Sequence, residues 1–442
     1  MSSWELKKLS EVADIIGGAT PKSDVDEYFN GDIPWITPKD LSGYKNRYIS
    51  KGERNITKLG LENSSAKLLP KGAVLFTSRA PIGYVAIADN EVSTNQGFKS
   101  LVLKDGNIPE FFYYLLKHNI PLFEARATGS TFKEVSGQVV KNTELLIPSI
   151  DIQKKIVDLV SPLDEKIQLN TQINQTLEQI AQTIFKSWFI DFDPVHAKAN
   201  ALASGQTTEQ ATQAAMTVIS GKNTQELHRL QTANPEQYQQ LWEIAEAFPS
   251  GVDEEGVPRG WESKKVGEVA KIVKGKKPKL ISSEPDDGFL PHILMASLSG
   301  KYTEYAQIDK SIVCDIFDTL ILMDGAASGK IAIGHKGVIG STFAKMELSE
   351  NKYWALFNLF MFSKEQDIQA NTTGTSIPHT DKARVLDYEI IVPCDVVLNY
   401  FTEMYKNILC SILNQRKNSF ILENIRDLLL PKLLSGEILN GN

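Results

Sequence analysis

The sequence predicts an α+β chain made of two related globules separated by two long antiparallel helices. Three observations carry this prediction. Residues 4–16, WELKKLSEVADII, return at 261–273 as WESKKVGEVAKIV, with eight of thirteen positions identical. Further matches follow in the same order along both halves of the chain. After each globule comes a segment whose apolar residues recur every seven positions, the seam of a coiled coil.

The duplication extends well beyond the tryptophans. Gly18 and Pro21 sit 257 positions before Gly275 and Pro278, and LSG at 41–43 sits 257 before LSG at 298–300. A small deletion then shortens the offset to about 245. LFTSRAPIGYVAI (75–87) parallels ILMDGAASGKIAI (321–333), ATGSTF (127–132) parallels TTGTSI (372–377), and LLIPS (145–149) parallels IIVPC (390–394). The repeated unit is domain-sized, far longer than a solenoid repeat. Within it, short β-rich runs such as AVLFTS (73–78) and YVAIA (84–88) alternate with Gly/Pro turns and read as strands. One amphipathic segment per copy, PEFFYYLLKHN (109–119) and KYWALFNLFMF (352–362), reads as a helix. The paired glycines are expected to serve turns with positive φ.

The first heptad seam runs through Ile156, Leu163, Asn170, Leu177 and Ile184, with Val160, Ile167, Asn174 and Ala181 at the alternate positions. Phe401, Ile408, Gln415, Leu422 and Leu429 repeat it 245 positions later. Asn170 and Gln415 share one interior position, where a buried amide lowers stability but fixes register. The same periodicity also fits two ordinary core helices. Neither helix has another partner of comparable length, so the simplest arrangement packs one against the other. The chain thus divides into a first globule (1–150), a first spacer helix (151–190), a partly helical connector (191–259), a second globule (260–394) and a second helix with a terminal segment (395–442). The connector is rich in Gln, Ala, Thr and Glu, and a plain spacer explains it better than a docking role.

Composition narrows the function. The 442 residues are 42% hydrophobic and 23% charged, ordinary for a globular protein. No apolar run reaches the ~18 residues of a membrane span. MSSWELKKLSE lacks the apolar core of a signal peptide, so a cytoplasmic location is expected. Three scattered cysteines and six dispersed histidines suggest neither a disulfide framework nor a metal site. The net charge is −7, yet residues 264–279 hold seven lysines against one glutamate, and residues 37–58 hold six basic residues against two acidic. Basic stretches on an acidic chain point to a polyanion partner. Lys274, Lys276 and Lys277 are the foremost candidates for DNA contact, though ordinary solvated charge explains each of these three equally well; Lys39, Lys45, Arg47, Arg79, Lys133 and Lys330 are weaker candidates.

No catalytic or metal-ligating residue is expected. GAASGK (325–330) is one residue short of a phosphate loop, and Ile331 stands where the magnesium-binding hydroxyl belongs. DFDPVH (191–196) lacks the second proline and the aromatic of the amino-group methyltransferase motif. EPDD (284–287) has no (D/E)xK partner that would complete a nuclease site.

Tandem globules opening on SWE or GWE, each followed by a long helix, resemble the specificity subunit of type I restriction–modification enzymes. IFKSWFIDFDPVHAKA (184–199) is similar to that family's central region, and LLLPKLLSGEI (428–438) to its C-terminal ending. The resemblance implies two target-recognition domains related by a pseudo-twofold axis, each reading one half of a bipartite, asymmetric site in double-stranded DNA. It implies two methylation subunits on the paired helices, joined by restriction subunits. S-adenosylmethionine, ATP and magnesium would then be used by those partners, with no cofactor on this chain. Independently, a helix over 152–190 would be about 58 Å long, enough for half-sites about 34 Å apart. A free-standing methyltransferase or nuclease, and a DNA-binding regulator or scaffold unrelated to restriction, remain the alternatives. Methyl transfer by the purified chain would favour the first.

Overall fold

The computed structural model describes residues 4–129, 133–374 and 377–438. Residues 130–132 of ATGSTF and 375–376 of TTGTSI lie outside the described residues. The chain forms two compact units: Met1–Asn170 with Asn418–Asn442, and Thr171–Lys417.

The two units repeat one strand order. In the first, Trp4–Lys8 pairs antiparallel with Glu144–Pro148, placing Trp4 opposite Pro148. In the second, Glu262–Lys265 pairs with Glu389–Val392 in the same register. The main sheet of the first unit runs Ala13–Gly17, Lys99–Leu103, Val74–Ser78, Ile82–Ala88. Its counterpart runs Ala270–Lys274, Phe343–Leu348, Thr319–Leu322, Ile331–Ala332. Ala13 faces Leu103 in one, and Ala270 faces Leu348 in the other. Against each sheet packs a helix buried along much of its length, Pro109–His118 or Trp354–Ala370. The copies diverge at the edges. Tyr48–Ile49 adds a fifth strand to the first unit's main sheet, while Val313–Cys314 joins the other, five-stranded sheet of the second.

Three of the duplicated glycine pairs adopt positive φ: Gly43 and Gly300, Gly83 and Gly329, Gly129 and Gly374. Gly18 and Gly275 do not. There a Cβ would fall 2.1 Å from the Asn95 carbonyl oxygen and 2.2 Å from that of Gly340. Close backbone approach, not turn geometry, is what these two positions require.

The long helices are Ile150–Phe189 and Asp395–Leu434, each of 40 residues. They pack antiparallel in each unit. In the first unit Asp164 meets Arg426 and Asn170 meets Ser419; in the second Glu178 meets Arg416 and Phe189 meets Phe401. Along the seam Ile156, Asn170 and Phe401 are buried, and Leu163, Leu177, Ile184, Ile408, Gln415, Leu422 and Leu429 are half-buried. Apolar seam positions remove the most hydrocarbon from water when the helices face each other, which is why the period of the pattern sets the pairing.

The connector, expected to be partly helical, holds four helices among its described residues. Asp193–Ala203, Thr208–Ser220, Thr224–Ala233 and Pro235–Ala247 are all helices, packed around Ala215, Met216, Leu227, Leu241 and Ala245. Lys198 is buried and donates to the carbonyls of Ala245, Glu246 and Phe248 at 3.1, 3.0 and 2.6 Å, closing the end of the fourth helix. Phe248 stacks edge-on to Trp188 and lies beside Trp261, so the bundle is anchored in the core of its unit. The FKSWFIDF stretch is therefore a packing motif: Phe185, Trp188, Phe189 and Phe192 supply the aromatic cluster. Asp193 and Pro194 open the next helix, which accounts for the DFDP sequence without any catalytic role.

Candidate nucleic-acid interface

The nine candidate cations divide by what their charges already meet. Lys276 and Lys277 follow strand Ala270–Lys274, are exposed, and form no ion pair among the described residues. Lys45 and Lys133 are likewise exposed and form no ion pair among the described residues. Lys39 is exposed but bonded to Glu53 at 2.7 Å, whose hydrogen bond and charge raise its pKa. Lys274 pairs with Asp324 at 2.8 Å, and Arg79 with Glu134 at 3.5 Å.

One candidate points inward and another is half-buried. Arg47 is 7% exposed and donates to the Tyr114 hydroxyl at 2.9 Å, to Ser161 Oγ at 2.5 Å and to Glu165 at 3.0 Å. Burial opposes its charge, but Tyr114, Tyr48, Asp164 and Glu165 together raise its pKa. The guanidinium is thus satisfied by the first long helix instead of facing solvent, a correction to its place among the DNA-facing cations. Lys330 is half-buried in the second unit and lines a cavity against that unit's helices. A run of charges along the chain does not say which face of an element a side chain leaves from, and Arg47 leaves from the inner face.

The described ends of the duplicated segments around Glu134 and His379 are bridged alike but charged differently. Arg79 bridges Glu134 through the backbone, as Asp324 bridges His379, and each partner is 245 positions from its counterpart. The side chains then pair with reversed polarity: cationic Arg79 with Glu134 in one unit, anionic Asp324 with His379 at 2.7 Å in the other. Burial works against ionisation of Asp324, but hydrogen bonds from Lys274 and His379 hold its carboxyl below the usual range. One backbone frame therefore carries two different charge arrangements. The sequence reading named Arg79 but not Asp324 or His379, and it did not single out Lys22 or Lys279. Both lysines are exposed and follow the buried, duplicated Pro21 and Pro278. The duplication itself held the signal.

Among the described residues no cluster of three or more His, Cys, Asp or Glu could hold a metal ion. The GAASGK segment is a turn with Gly325 and Gly329 at φ 106° and 90°, where Ser328 Oγ donates back to the Met323 carbonyl at 2.9 Å.

The family model described as "Type I restriction modification DNA specificity domain" matches residues 1–179 and 258–395. The chain is 32% identical to the type I restriction enzyme MjaIX specificity subunit of Methanocaldococcus jannaschii, over 98% of this chain and 93% of that protein. It is 33% identical to the HindI specificity subunit of Haemophilus influenzae, over 94% of this chain and 100% of the relative. The crystal structure of a type I restriction–modification S subunit from M. genitalium shares the fold, with a TM-score of 0.56 at 16% identity, covering 97% of this chain and 96% of that one.

Proposed function

The chain belongs to the type I restriction–modification DNA specificity family, and on that premise we propose that its two units act as separate readers of the two halves of one bipartite site. The chain is the DNA-recognising, non-catalytic component of such a system, and the chemistry lies in partner subunits. One observation supports the two-reader reading above the others. The units share strand order and register, yet the equivalent loop positions carry charges of opposite sign, Arg79 beside Glu134 in one and Asp324 beside His379 in the other. Repetition of the frame provides two equivalent seats on DNA, and divergence at the loops makes the site asymmetric.

On this reading residues 1–150 and 260–394 are the two target-recognition domains, and the helices set the separation of the half-sites. Two methylation subunits dock on the helices, and restriction subunits join that core. Outward from the seam, Ile421, Ile425 and Leu428 form an exposed apolar stripe at helical spacing, with Leu428 71% exposed. Such a stripe supports a helix-borne partner. S-adenosylmethionine, ATP and magnesium are used on the partners, in the cytoplasm where the DNA lies. Of the described helices, none is long and apolar enough to cross a membrane.

Exchanging residues 1–150 for the equivalent domain of a relative tests the proposal. Methylated-base sequencing of DNA from cells expressing the chimera with its methylation subunit should show one half of the site changed and the other half retained. A change in both halves, or in neither, would overturn the two-reader model.

A further inference from the structure

We propose that the second unit holds a small-molecule pocket, where its recognition fold meets its long helices, shaped for a flat apolar body bearing one negative charge. The cavity there has a volume of about 260 Å³ and includes Ala181, Leu359 and Leu409 in its wall. These three residues lie 245 positions from Arg426, Tyr114 and Asp164. In the first unit those three side chains fill the equivalent space with a polar network. The Tyr114 hydroxyl donates to Asp164 at 2.6 Å, Arg426 donates to Asp164 at 2.7 Å, and Arg47 donates to the Tyr114 hydroxyl at 2.9 Å. In the second unit every member of the trio is aliphatic, and a hollow stands where the network would be.

A core that loses side-chain volume relaxes only partly, which leaves a space wide enough for water and open on one side. A ligand that fills the hollow removes the aliphatic part of its wall from water. Size sets the class: an apolar cavity of about 150 Å³ accepts benzene, so this one has room for a fused bicyclic ring. Charge sets the rest. Arg416 and Glu178, both in the wall, pair with each other at 3.0 Å. His335 is buried and its Nδ1 meets the Tyr302 hydroxyl at 3.0 Å. That leaves Lys330, which makes no ion pair among the described residues, as the one uncompensated charge on the wall. An aromatic carboxylate matches both requirements, and it would bind without touching the candidate DNA-facing lysines 276 and 277.

The test uses the full-length chain and three probes of one shape: 2-naphthoate, neutral 2-naphthol and cationic 2-naphthylmethylamine, each titrated by calorimetry. The expected order is naphthoate above naphthol above the amine. Lys330→Met should weaken naphthoate roughly tenfold, the worth of a charge-assisted bond, and leave naphthol unchanged. Ala181→Phe, which fills the hollow, should abolish binding of both. Failure of all three probes to bind the unaltered chain would overturn the pocket. Equal affinity for the three, or an undiminished naphthoate affinity in Lys330→Met, would overturn the charge assignment. The lysine variant alters only one end of a half-buried side chain, so it decides the matter even if Ala181→Phe does not fold.

Discussion

Asp164 on the first long helix and Arg426 on the second form an ion pair at 2.7 Å, each side chain less than a quarter exposed. The contact joins residues 262 apart in sequence and gives the antiparallel pairing one fixed point. Arg426 also bonds Asp427, and despite opposing burial its pKa is raised by both carboxylates.

Breaking that pair should cost more than the pair itself is worth, because it strands a partly buried charge. Asp164→Asn or Arg426→Met is expected to destabilise the first unit by about 2 kcal/mol, and the double variant by less than the sum. Urea denaturation of the three variants measures this. Strict additivity would show that the residues do not interact.

Arg47 and the pair Lys276 and Lys277 should separate stability from DNA binding. Arg47→Met removes a buried guanidinium from Tyr114, Ser161 and Glu165. It is expected to lower stability by about 2 kcal/mol and leave the salt dependence of DNA binding unchanged. Lys276→Ala with Lys277→Ala should do the reverse. Stability holds, affinity drops, and the slope of log K against log salt falls by roughly 0.9 for each phosphate that is no longer neutralised. A changed slope in Arg47→Met would return that residue to the interface.

The contrast shows what could be read in the chain and what could not. The heptads were legible because Ile156, Asn170 and Phe401 had to be buried at one period for either helix to pack. Strand order was legible only as repetition: two copies of one pattern must fold alike, whatever that fold is. Arg47 and Lys330 were not legible, since a cation in a basic stretch looks the same whether it faces solvent or a neighbouring helix. The connector was legible only in outline because Gln, Thr and Glu dominate its surface, while its core rests on a few small side chains such as Ala215 and Ala245. Lys198 breaks the usual rule that lysine is exposed, and only the three carbonyls around it explain why.

His335 predicts an acid-sensitive second unit. Burial first, and the positive charge of Arg416 second, push its pKa from 6.5 down to about 4. The Tyr302 hydroxyl faces its ring, and Cys314 Sγ donates to its backbone carbonyl at 3.4 Å. The unfolded chain takes up a proton below pH 6.5 that the folded ring refuses until about pH 4. The stability tied to the neutral ring is therefore complete above pH 6.5 and is lost as pH falls toward 4, a linkage of about 3 kcal/mol. His335→Asn should flatten this part of the stability profile between about pH 7 and about pH 4.5, measured by urea denaturation. An unchanged pH slope would assign the acid sensitivity elsewhere.

Asn170 offers the sharpest test of what the helix pairing selects for. It is fully buried, and its Nδ2 donates to Ser419 Oγ at 3.2 Å. Its Oδ1 has no partner among the described residues, and neither does Oδ1 of Asn174 one turn on. A buried amide that meets only one of its bonding requirements lowers stability relative to a hydrocarbon of similar size. What it adds is discrimination: sliding either helix by one turn would break the Ser419 bond and leave the whole amide unsatisfied. Asn170→Leu is therefore expected to raise the stability of the first unit by about 1 kcal/mol. The half-buried Ser419 hydroxyl can turn to water, so its loss of a partner should subtract little from that gain. The same variant should tolerate a shifted register, seen as new cross-links between cysteines placed at positions one turn apart on the two helices. Destabilisation by Asn170→Leu, with the native cross-link alone retained, would mean that the amide holds the helices together and does not merely align them.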